Sequence, residues 1–400
     1  MALAKKIRLA AIAVSLLAIS LLGCSTQAFC AGPDVVAKAE QKLWPEAIST
    51  PAGFDKASRA SLLIYVWMLK EMQGLSDAQM LASFKIKSIN RKSLDKWLAK
   101  EQALSLSNFQ RASTQCLWDD RPDEDWTCVQ SATMAQLLSS KTYVEMPKAL
   151  LAWRENLQGF TRSYLSEQLR LAALFPKISS EIDRFNDSEW NGDALADRMF
   201  YLTFDDGPTR ANSTTDSTLK MLATNKKSAA FFLLGENLDA RSKATNAASL
   251  TTLYANQCVA AHGWSHVSHA NGEQWQSSVT RTFALLNTIF AQSTIFVQST
   301  GEILPLFRPP YGQRKADSGA FFKAHSVQVA LWNLDSQDWN AQVSANDVVN
   351  RMLTLMLIKR HGVLLFHDIH PKANVALPSL FEALGNSVKW GECGDLGRLK

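Results

Sequence analysis

The chain has 400 residues, of which 46% are apolar and 20% are charged, so it is long and apolar enough to bury more than one hydrophobic core. Its formal net charge is +5, and three of the cations lie within the first eight residues, which leaves +2 for the rest. The chain has no long basic run, which excludes the charge footprint of a nucleic-acid-binding protein and predicts no nucleic-acid partner.

The first segment, residues 1–31, has the pattern of an export signal. Lys5, Lys6 and Arg8 precede an uncharged apolar run over residues 9–22. This run is short for a membrane span but typical of a secretory signal peptide. We therefore predict export, and no transmembrane helix in the mature protein.

The end of the apolar run is compatible with two kinds of signal-peptide cleavage. Residues 21–25, Leu-Leu-Gly-Cys-Ser, resemble the cleavage box of bacterial lipoproteins, with Cys24 as the lipidated residue. That resemblance implies a lipid anchor at Cys24 and, from the following serine, an outer-membrane lipoprotein that faces the periplasm. The alternative is ordinary signal cleavage near Ala28 or Cys30, which gives a periplasmic or secreted protein. Both alternatives place the protein outside the cytoplasm.

Residues 32–195 are predicted to form a mainly α-helical domain of unknown function. Apolar residues recur at helical spacing over residues 61–70, and the pattern stops at Gly74. Ser76 and Gln79 have the form of a capping box before the next apolar run. Strand-like alternation is scarce and no convincing repeat is present, so a solenoid is not expected. Further helical patterns cover residues 91–103, 131–140, 147–158 and 162–184.

Six cysteines in an exported chain predict disulfide bonds. Cys116 and Cys128 are close in sequence, and we expect them to staple the polar loop between them. Cys258 and Cys393 then remain in the second domain, where a bond between them would hold the C-terminal tail beside the segment that contains His262. Cys30 has no partner in this scheme unless cleavage removes it. No cysteine spacing matches a zinc finger, so structural zinc is not expected.

The second domain, residues 196–400, follows a hinge predicted in the Asn/Asp/Gly-rich segment 186–197 and carries five polar clusters. The first is Thr-Phe-Asp-Asp-Gly-Pro, residues 203–208, which is typical of a buried strand that ends in a tight turn. Asp205 and Asp206 thus stand at the strand's C-terminal tip, where barrel enzymes carry catalytic residues. Because side chains alternate along a strand, one carboxylate can bind a metal while the other faces a nucleophilic water.

The second cluster, His-Gly-Trp-Ser-His, contains His262 and His266. Their four-residue spacing predicts two imidazoles on one face of a helical turn, where one divalent ion can bind both. With Asp206 as a third ligand, the set leaves coordination positions open, as a catalytic zinc site requires. A register that pairs His266 with His269 is the alternative.

Three further clusters supply a guanidinium, two carboxylates and an imidazole. Arg308 lies in Arg-Pro-Pro-Tyr-Gly, where its fork of donors can grip a carboxylate and the prolines stiffen the loop. Asp335 and Asp338 follow in Asp-Ser-Gln-Asp-Trp, and His367 follows an apolar run. Each cluster alone is more commonly a turn, a loop or a strand end, but their joint occurrence favours a hydrolase site.

These five clusters, in this order, resemble the motifs of the polysaccharide deacetylase family, the NodB-like carbohydrate esterases of family 4. The resemblance covers about residues 199–400, and the segment 228–237 resembles the family's second strand. It implies an α/β fold, a distorted (β/α) barrel, preceded here by the helical domain. It also implies a metal-dependent hydrolase that removes acetyl groups from a glycan.

Carried over residue by residue, the resemblance first implies a metal centre and a base. Asp206, His262 and His266 are the implied metal ligands. Asp205 is the implied general base, and Arg308 orients it. Two imidazoles and a carboxylate favour zinc, although cobalt, manganese or nickel can satisfy the same ligands.

The resemblance also implies a proton donor and a substrate pocket. His367 is the implied general acid, which Asp338 holds and stabilises in its charged form. Tyr311 contributes its backbone N–H to the oxyanion, and Trp339 and Leu365 form the walls of the acetyl pocket.

Four positions have no settled role in this comparison. Gly263 stands where the family usually has Ser or Thr, so a supporting hydroxyl is missing, and Ala230 stands where Thr is common, a change we interpret as structural. His269 is either a substrate-facing or supporting residue or simply exposed. Asp335 has a less defined role than Asp338, and shaping its loop is one alternative.

The sequence therefore predicts a two-domain exported enzyme that uses one divalent ion to remove N-acetyl groups from the amino sugars of a glycan, releasing acetate. An O-acetyl esterase that acts on a polysaccharide is the alternative among enzymes. A catalytically silent glycan-binding protein of the envelope is the alternative outside them. The presence of both aspartates and all three histidines argues against the silent protein.

Overall fold

The parts of the chain described by the computed structural model are residues 36–39, 44–116, 125–139, 146–174, 183–270, 274–291 and 301–399. The predicted signal segment, with Cys24 and Cys30, lies outside them. Across these ranges, no helix is both long enough and apolar enough to cross a bilayer.

The first half of the chain is helical, as its apolar patterns predict. Thr50 and Asn90 each accept a hydrogen bond from a first-turn backbone N–H, and Ser76 and Gln79 form the predicted capping box. Its helices are α1 (Pro51–Gln73), α2 (Asp77–Phe84), α3 (Arg91–Ala112), α4 (Met134–Ser139) and α5 (Leu151–Leu174).

Helices α1 and α3 are longer than their sequence patterns indicate, and α5 joins two patterns that were predicted as separate helices. α1 begins at Pro51 rather than near residue 61, because Thr50 caps it and proline is favoured in a first helical turn. Residues 151–158 and 162–174 of two predicted patterns belong to one helix, α5, which continues through Gly159, whereas the end of the second pattern at residues 183–184 is not helical. A glycine inside a helix costs only about 1 kcal/mol, and the buried face of α5 offsets that cost.

The second half builds one sheet in which every described strand pair runs parallel. Its strands are β1 (Glu189–Trp190), β2 (Met199–Asp205), β3 (Ala229–Leu233), β4 (Cys258–Ala261), β5 (Glu302–Phe307), β6 (Gln328–Ala330), β7 (Leu334–Asp335), β8 (Gly362–His367) and β9 (Lys389–Trp390). Its helices are α6 (Thr214–Thr224), α7 (Gly235–Ala244), α8 (Ala247–Leu253), α9 (Trp275–Leu286), α10 (Gly319–Ala324), α11 (Ala345–Lys359), α12 (Lys372–Leu384) and α13 (Cys393–Leu396).

The strands follow the order β1-β6-β5-β4-β3-β2-β8-β7, with β9 beside the start of β2. Within the described ranges the two end strands, β1 and β7, do not pair with each other. The sheet is therefore an open, distorted (β/α) barrel, which confirms the predicted fold class.

Both faces of this sheet are buried, because alternate strand residues face the interior and the surrounding helices. Tyr201, Phe232 and Val363 belong to one buried layer, which also contains Leu396 of α13. Both predicted disulfide bonds are present. Cys258–Cys393 joins α13 to the first residue of β4, and Cys116–Cys128 closes the loop after α3.

The helical half and the barrel share one compact unit, residues 35–400. Helix α1 packs against the barrel helix α11 as well as against α3 and α5. Across this contact, the Ser58 hydroxyl donates to the Leu357 carbonyl at 2.6 Å, and Arg360 pairs with Asp55 at 2.7 Å. The segment expected to be a hinge contains β1, which pairs with β6. The functional division at residue 195 stays a prediction.

Candidate active site

The predicted site residues meet at one end of the barrel. Asp205 and His367 are the last residues of the neighbouring strands β2 and β8 and are paired in register. His262 and Arg308 directly follow β4 and β5, and Asp338 lies in the loop after β7. The carboxyl ends of parallel strands share one edge of a sheet, so residues distant in sequence converge there.

One group gathers a carboxylate and two imidazoles. Oδ1 of Asp206 lies 3.3 Å from Nε2 of His262 and 3.4 Å from Nε2 of His266. One ligand atom from each residue lies within 4.8 Å of the other two. Oδ1 is buried and accepts no hydrogen bond from the described residues. A buried carboxylate oxygen without a hydrogen-bond partner, next to two imidazole nitrogens, fits a divalent cation.

The charge state of this group also suits a cation. Burial raises the pKa of the Asp206 carboxyl, but close contact with His262 and the nearby imidazole charges hold that pKa well below its ordinary value. His262 Nδ1 donates to the Arg308 carbonyl at 2.7 Å, so Nε2 is the ring nitrogen that faces Asp206. Burial alone would lower the pKa of His262, but Asp205 and Asp206 raise it, so a cation at Nε2 would replace a proton there. The Asp206 carboxylate is thus already in the form that binds a metal.

The prediction that His262 and His266 lie on one helical turn is wrong. Residues 262–266 form a bend after β4 rather than a helix, because Gly263 adopts a φ of 91° in the left-handed region. A Cβ at this position would also lie 3.1 Å from Nε2 of His269. Both facts explain glycine where the resemblance led us to expect Ser or Thr.

Asp205 is held by a buried arginine, as the sequence predicts. Nη1 of Arg308 donates to Asp205 Oδ1 at 2.8 Å and to the Thr203 hydroxyl at 2.8 Å. The same guanidinium donates to the carbonyls of Ala330 and Leu331, and it is fully buried. The second carboxylate oxygen, Oδ2, lies 3.8 Å from His262 Nε2 and so borders the metal-binding group.

His367 is held by Asp338 in the same manner. Its Nδ1 donates to Asp338 Oδ1 at 2.7 Å, and its backbone N–H donates to Oδ2 at 2.9 Å. Burial alone would lower the pKa of His367, but the fully buried Asp338 carboxylate and the site aspartates raise it to about 10. His367 is therefore cationic near neutral pH, with Nε2 as the ring nitrogen not engaged by Asp338.

The three predicted substrate-contacting residues lie around this end of the barrel. Tyr311 is 48% exposed and its ring lies 4.3 Å from that of His266. Trp339 is 41% exposed and directly follows Asp338. Leu365 is buried on β8, two residues before His367, and so faces the same side of the strand.

Asp335 supports its loop rather than the reacting groups. Oδ1 accepts a hydrogen bond from the Gln337 backbone N–H at 2.8 Å, and Oδ2 accepts from the Gln337 side-chain amide at 2.7 Å. Gln337 adopts a φ of 57°, a conformation that this double contact helps to fix. The geometry favours the loop-shaping alternative for Asp335.

Two contacts of the site were missed at the sequence level. Thr203 accepts from Arg308 and donates to the Leu364 carbonyl at 2.7 Å. The Asn237 side-chain amide donates to the Asp206 carbonyl at 2.7 Å. Thr203 lies two residues before Asp205 on β2, so the strand period alone would have placed it on the Arg308 side. No signal of comparable strength singles out Asn237.

His269 is neither exposed nor part of the metal-binding group. It is 2% exposed, and its ring stacks on Phe307 at 5.2 Å. Neither ring nitrogen has a hydrogen-bond partner among the described residues. Burial, with a contribution from His262, lowers its pKa to about 4. The alternative ligand pair of His266 and His269 is therefore not supported.

Replacing His269 with leucine should stabilise the fold. The change removes two unsatisfied buried nitrogens, which we expect to raise the free energy of unfolding by about 1–3 kcal/mol in denaturant titrations. The wild type loses stability as pH falls from 6.5 toward 4, because the unfolded chain takes up a proton that folded His269 does not. The gain should therefore be larger at pH 5 than at pH 7.5.

The exposed His325 provides the matched control, and His325→Leu should change stability by less than about 0.5 kcal/mol. A His269→Leu protein that is less stable than the wild type, or that binds its metal ion more weakly, would contradict this account of His269.

Comparison with known proteins finds similarity to polysaccharide deacetylases. The sequence profile of the polysaccharide deacetylase family matches residues 192–330. A peptidoglycan-N-acetylglucosamine deacetylase of Bacillus cereus is 26% identical over 230 residues, 54% of this chain and 75% of that protein. A bifunctional xylanase/xylan deacetylase of Cellvibrio japonicus is 30% identical over 169 residues, 42% of this chain and 22% of that protein.

Among solved structures, a peptidoglycan N-acetylglucosamine deacetylase aligns with a TM-score of 0.43 and 21% identity, over 51% of this chain and 90% of that one. All of these alignments leave a large part of this chain unmatched, and the chain spans only 28% of a bifunctional xylanase/deacetylase of Pseudobutyrivibrio xylanivorans. Residues 192–330 therefore match the polysaccharide deacetylase family, and the curated relatives show that this part of the chain is similar to known deacetylases.

Proposed function

We propose that this protein is a metal-dependent hydrolase that removes N-acetyl groups from the amino sugars of a glycan and releases acetate. One observation carries the proposal. Three residues that could hold a metal ion lie at the same end of the barrel as a carboxylate paired with a buried arginine and an imidazole paired with a buried carboxylate. This arrangement orients a base and keeps an acid protonated in one site.

Asp206, His262 and His266 would hold the ion, with zinc favoured and cobalt, manganese or nickel compatible. A divalent ion in this position lowers the pKa of a water molecule and polarises the carbonyl group of the substrate. These three residues leave coordination positions open, so water and an acetyl group can both approach.

Asp205 is the proposed general base. It would take the proton of the attacking water, and Arg308 keeps its carboxylate oriented while that proton is transferred. Three further hydrogen bonds from the guanidinium, to Thr203, Ala330 and Leu331, fix the arginine itself. The base is thus preorganised before the substrate binds.

His367 is the proposed general acid. Asp338 engages Nδ1, so the Nε2 proton would pass to the departing amine of the sugar. The pKa of about 10 keeps the imidazole protonated at neutral pH. We propose that the Tyr311 backbone N–H donates to the oxyanion of the tetrahedral intermediate, and that Trp339 and Leu365 bound the acetyl pocket.

The substrate class is proposed from the relatives' names and from the chemistry of the site. The Bacillus cereus relative is named for peptidoglycan, which favours an N-acetylated glycan of the cell wall. The Cellvibrio japonicus relative is named for xylan, which keeps an O-acetyl esterase as the second candidate. Two disulfide bonds favour an exported protein of the cell envelope, with lipidation of Cys24 as the proposed anchor.

Acetate release from chitooligosaccharides, peptidoglycan and acetylated xylan separates these candidates. The N-deacetylase predicts release from the first two substrates, whereas an O-acetyl esterase predicts release from xylan alone. Glycan binding without release from any of the three would instead favour the catalytically silent protein.

A further inference from the structure

The loop that carries Tyr311 is tied to a segment upstream of all five clusters. Arg314 is 1% exposed and grips the Glu189 carboxylate with two parallel hydrogen bonds. Nε donates to Oε1 at 3.0 Å, and Nη2 donates to Oε2 at 2.5 Å. Glu189 is 2% exposed and lies before residues 192–330, so the match to the family profile does not include it.

The same guanidinium also holds the backbone of the loop. Nη1 of Arg314 donates to the Gly312 carbonyl at 2.9 Å, and Nη2 donates to the Asp183 carbonyl at 2.8 Å. The central guanidinium carbon of Arg314, Cζ, lies 4.4 Å from the centroid of the Phe185 ring. One buried side chain therefore clamps the residue after Tyr311 to the chain that leads into β1.

Tyr311 requires such a clamp. Its φ of 59° and ψ of 13° place a residue with a bulky side chain in the left-handed region. Residues in that region persist only where their surroundings fix them. Because Arg314 is buried, the Glu189 carboxylate compensates its positive charge, and without that partner the guanidinium is left buried and unpaired.

Strand β1 also contacts Leu331, one of the residues whose carbonyl accepts a hydrogen bond from Arg308. The Leu331 N–H donates to the Trp190 carbonyl at 2.8 Å. The Leu331 carbonyl in turn accepts from Arg308 Nη2 at 3.1 Å. The two residues of β1 therefore contact both groups. Trp190 bonds to Leu331, which holds Arg308, and Glu189 bonds to Arg314, which holds the Tyr311 loop.

We propose that Glu189 is a positioning residue whose carboxylate, acting through Arg314, fixes the Tyr311 loop in the conformation that presents its backbone N–H to the reacting carbonyl group. The expected effect on kcat rests on the proposed function. The effect on the conformation of the Tyr311 loop can be measured even in a protein without activity.

The test compares Glu189→Gln with Asp55→Asn in the purified chain. Both changes neutralise a buried carboxylate that pairs with a buried arginine, but the Asp55 partner, Arg360, lies two residues before β8, at the end of that strand opposite His367. In Glu189→Gln, amide hydrogen exchange in peptides covering residues 309–315 should be at least about tenfold faster than in the wild type. Asp55→Asn should leave exchange in these peptides unchanged.

The kinetic arm uses the same two variants. Glu189→Gln should lower kcat for acetate release by about 10- to 100-fold with KM within about twofold, because the misplaced N–H is needed most in the transition state. Asp55→Asn should keep the wild-type kcat at a temperature where all variants are folded.

A double variant separates positioning from stability. Glu189→Gln combined with Arg314→Met removes the unpaired buried charge, so Tm should recover toward the wild-type value. The clamp on Gly312 is still missing, so kcat should stay low and exchange should stay fast. A purely structural role predicts that kcat recovers together with Tm.

The proposal is overturned if Glu189→Gln exchanges like Asp55→Asn over residues 309–315, or if the double variant regains the wild-type kcat. If the wild type releases no acetate from any substrate, the proposed function fails instead. The exchange comparison then decides the positioning role alone.

Discussion

Replacing Asp205 with asparagine is expected to lower kcat for acetate release by about 10²- to 10⁴-fold, the range that a general base contributes. The amide has the shape of the carboxylate but cannot take a proton from water. Arg308 keeps its hydrogen bonds to Thr203, Ala330 and Leu331, so the site should remain folded around the new amide. Acetate release under substrate saturation measures the effect.

The same variant should still bind its metal ion, because Asp206, His262 and His266 are unchanged. Metal content after dialysis provides that control. A kcat within about threefold of the wild type, with metal retained, would contradict the assignment of Asp205 as the base.

Replacing Asp338 with asparagine should have a comparable effect by disabling the acid. The carboxylate accepts from both Nδ1 and the backbone N–H of His367. An amide cannot supply the negative charge, and its NH₂ group can favour the wrong imidazole tautomer. We expect kcat to fall by about 10²- to 10⁴-fold.

The Asp338→Asn change should also shift the dependence of kcat on pH in a definite direction. Asp338 is the largest favourable influence on the His367 pKa of about 10, so its loss lowers that pKa. An acid with a lower pKa loses its proton at lower pH, so the alkaline limb of kcat against pH should move toward neutrality. An unmoved alkaline limb with an undiminished kcat would show that Asp338 does not support the acid.

The end of the barrel that carries the candidate site was predictable because each cluster follows an apolar strand pattern. Asp205 and His367 end β2 and β8, and parallel strands bring their tips together whatever the sequence separation. The fixed fork of donors predicted that Arg308 holds a carboxylate, and the family resemblance implied that this carboxylate is Asp205.

The parts that escaped prediction depend on backbone conformation or on very short elements. Gly263 turns the His262–His266 segment into a bend, and four-residue spacing alone cannot distinguish that bend from a helical turn. Strand β1 has two residues in a segment rich in turn-forming side chains, so its period-two pattern is too short to detect. The Glu189–Arg314 pair spans 125 residues and leaves no local signal.

The dependence of acetate release on a bound divalent ion tests the central claim most directly. The purified chain should be assayed as isolated, after removal of metal by a chelator, and after stoichiometric addition of zinc, cobalt, manganese or nickel. We expect chelation to abolish release and one ion per chain to restore it in the wild type but not in a His262→Ala/His266→Ala variant. Undiminished release by the metal-free protein would contradict the claim.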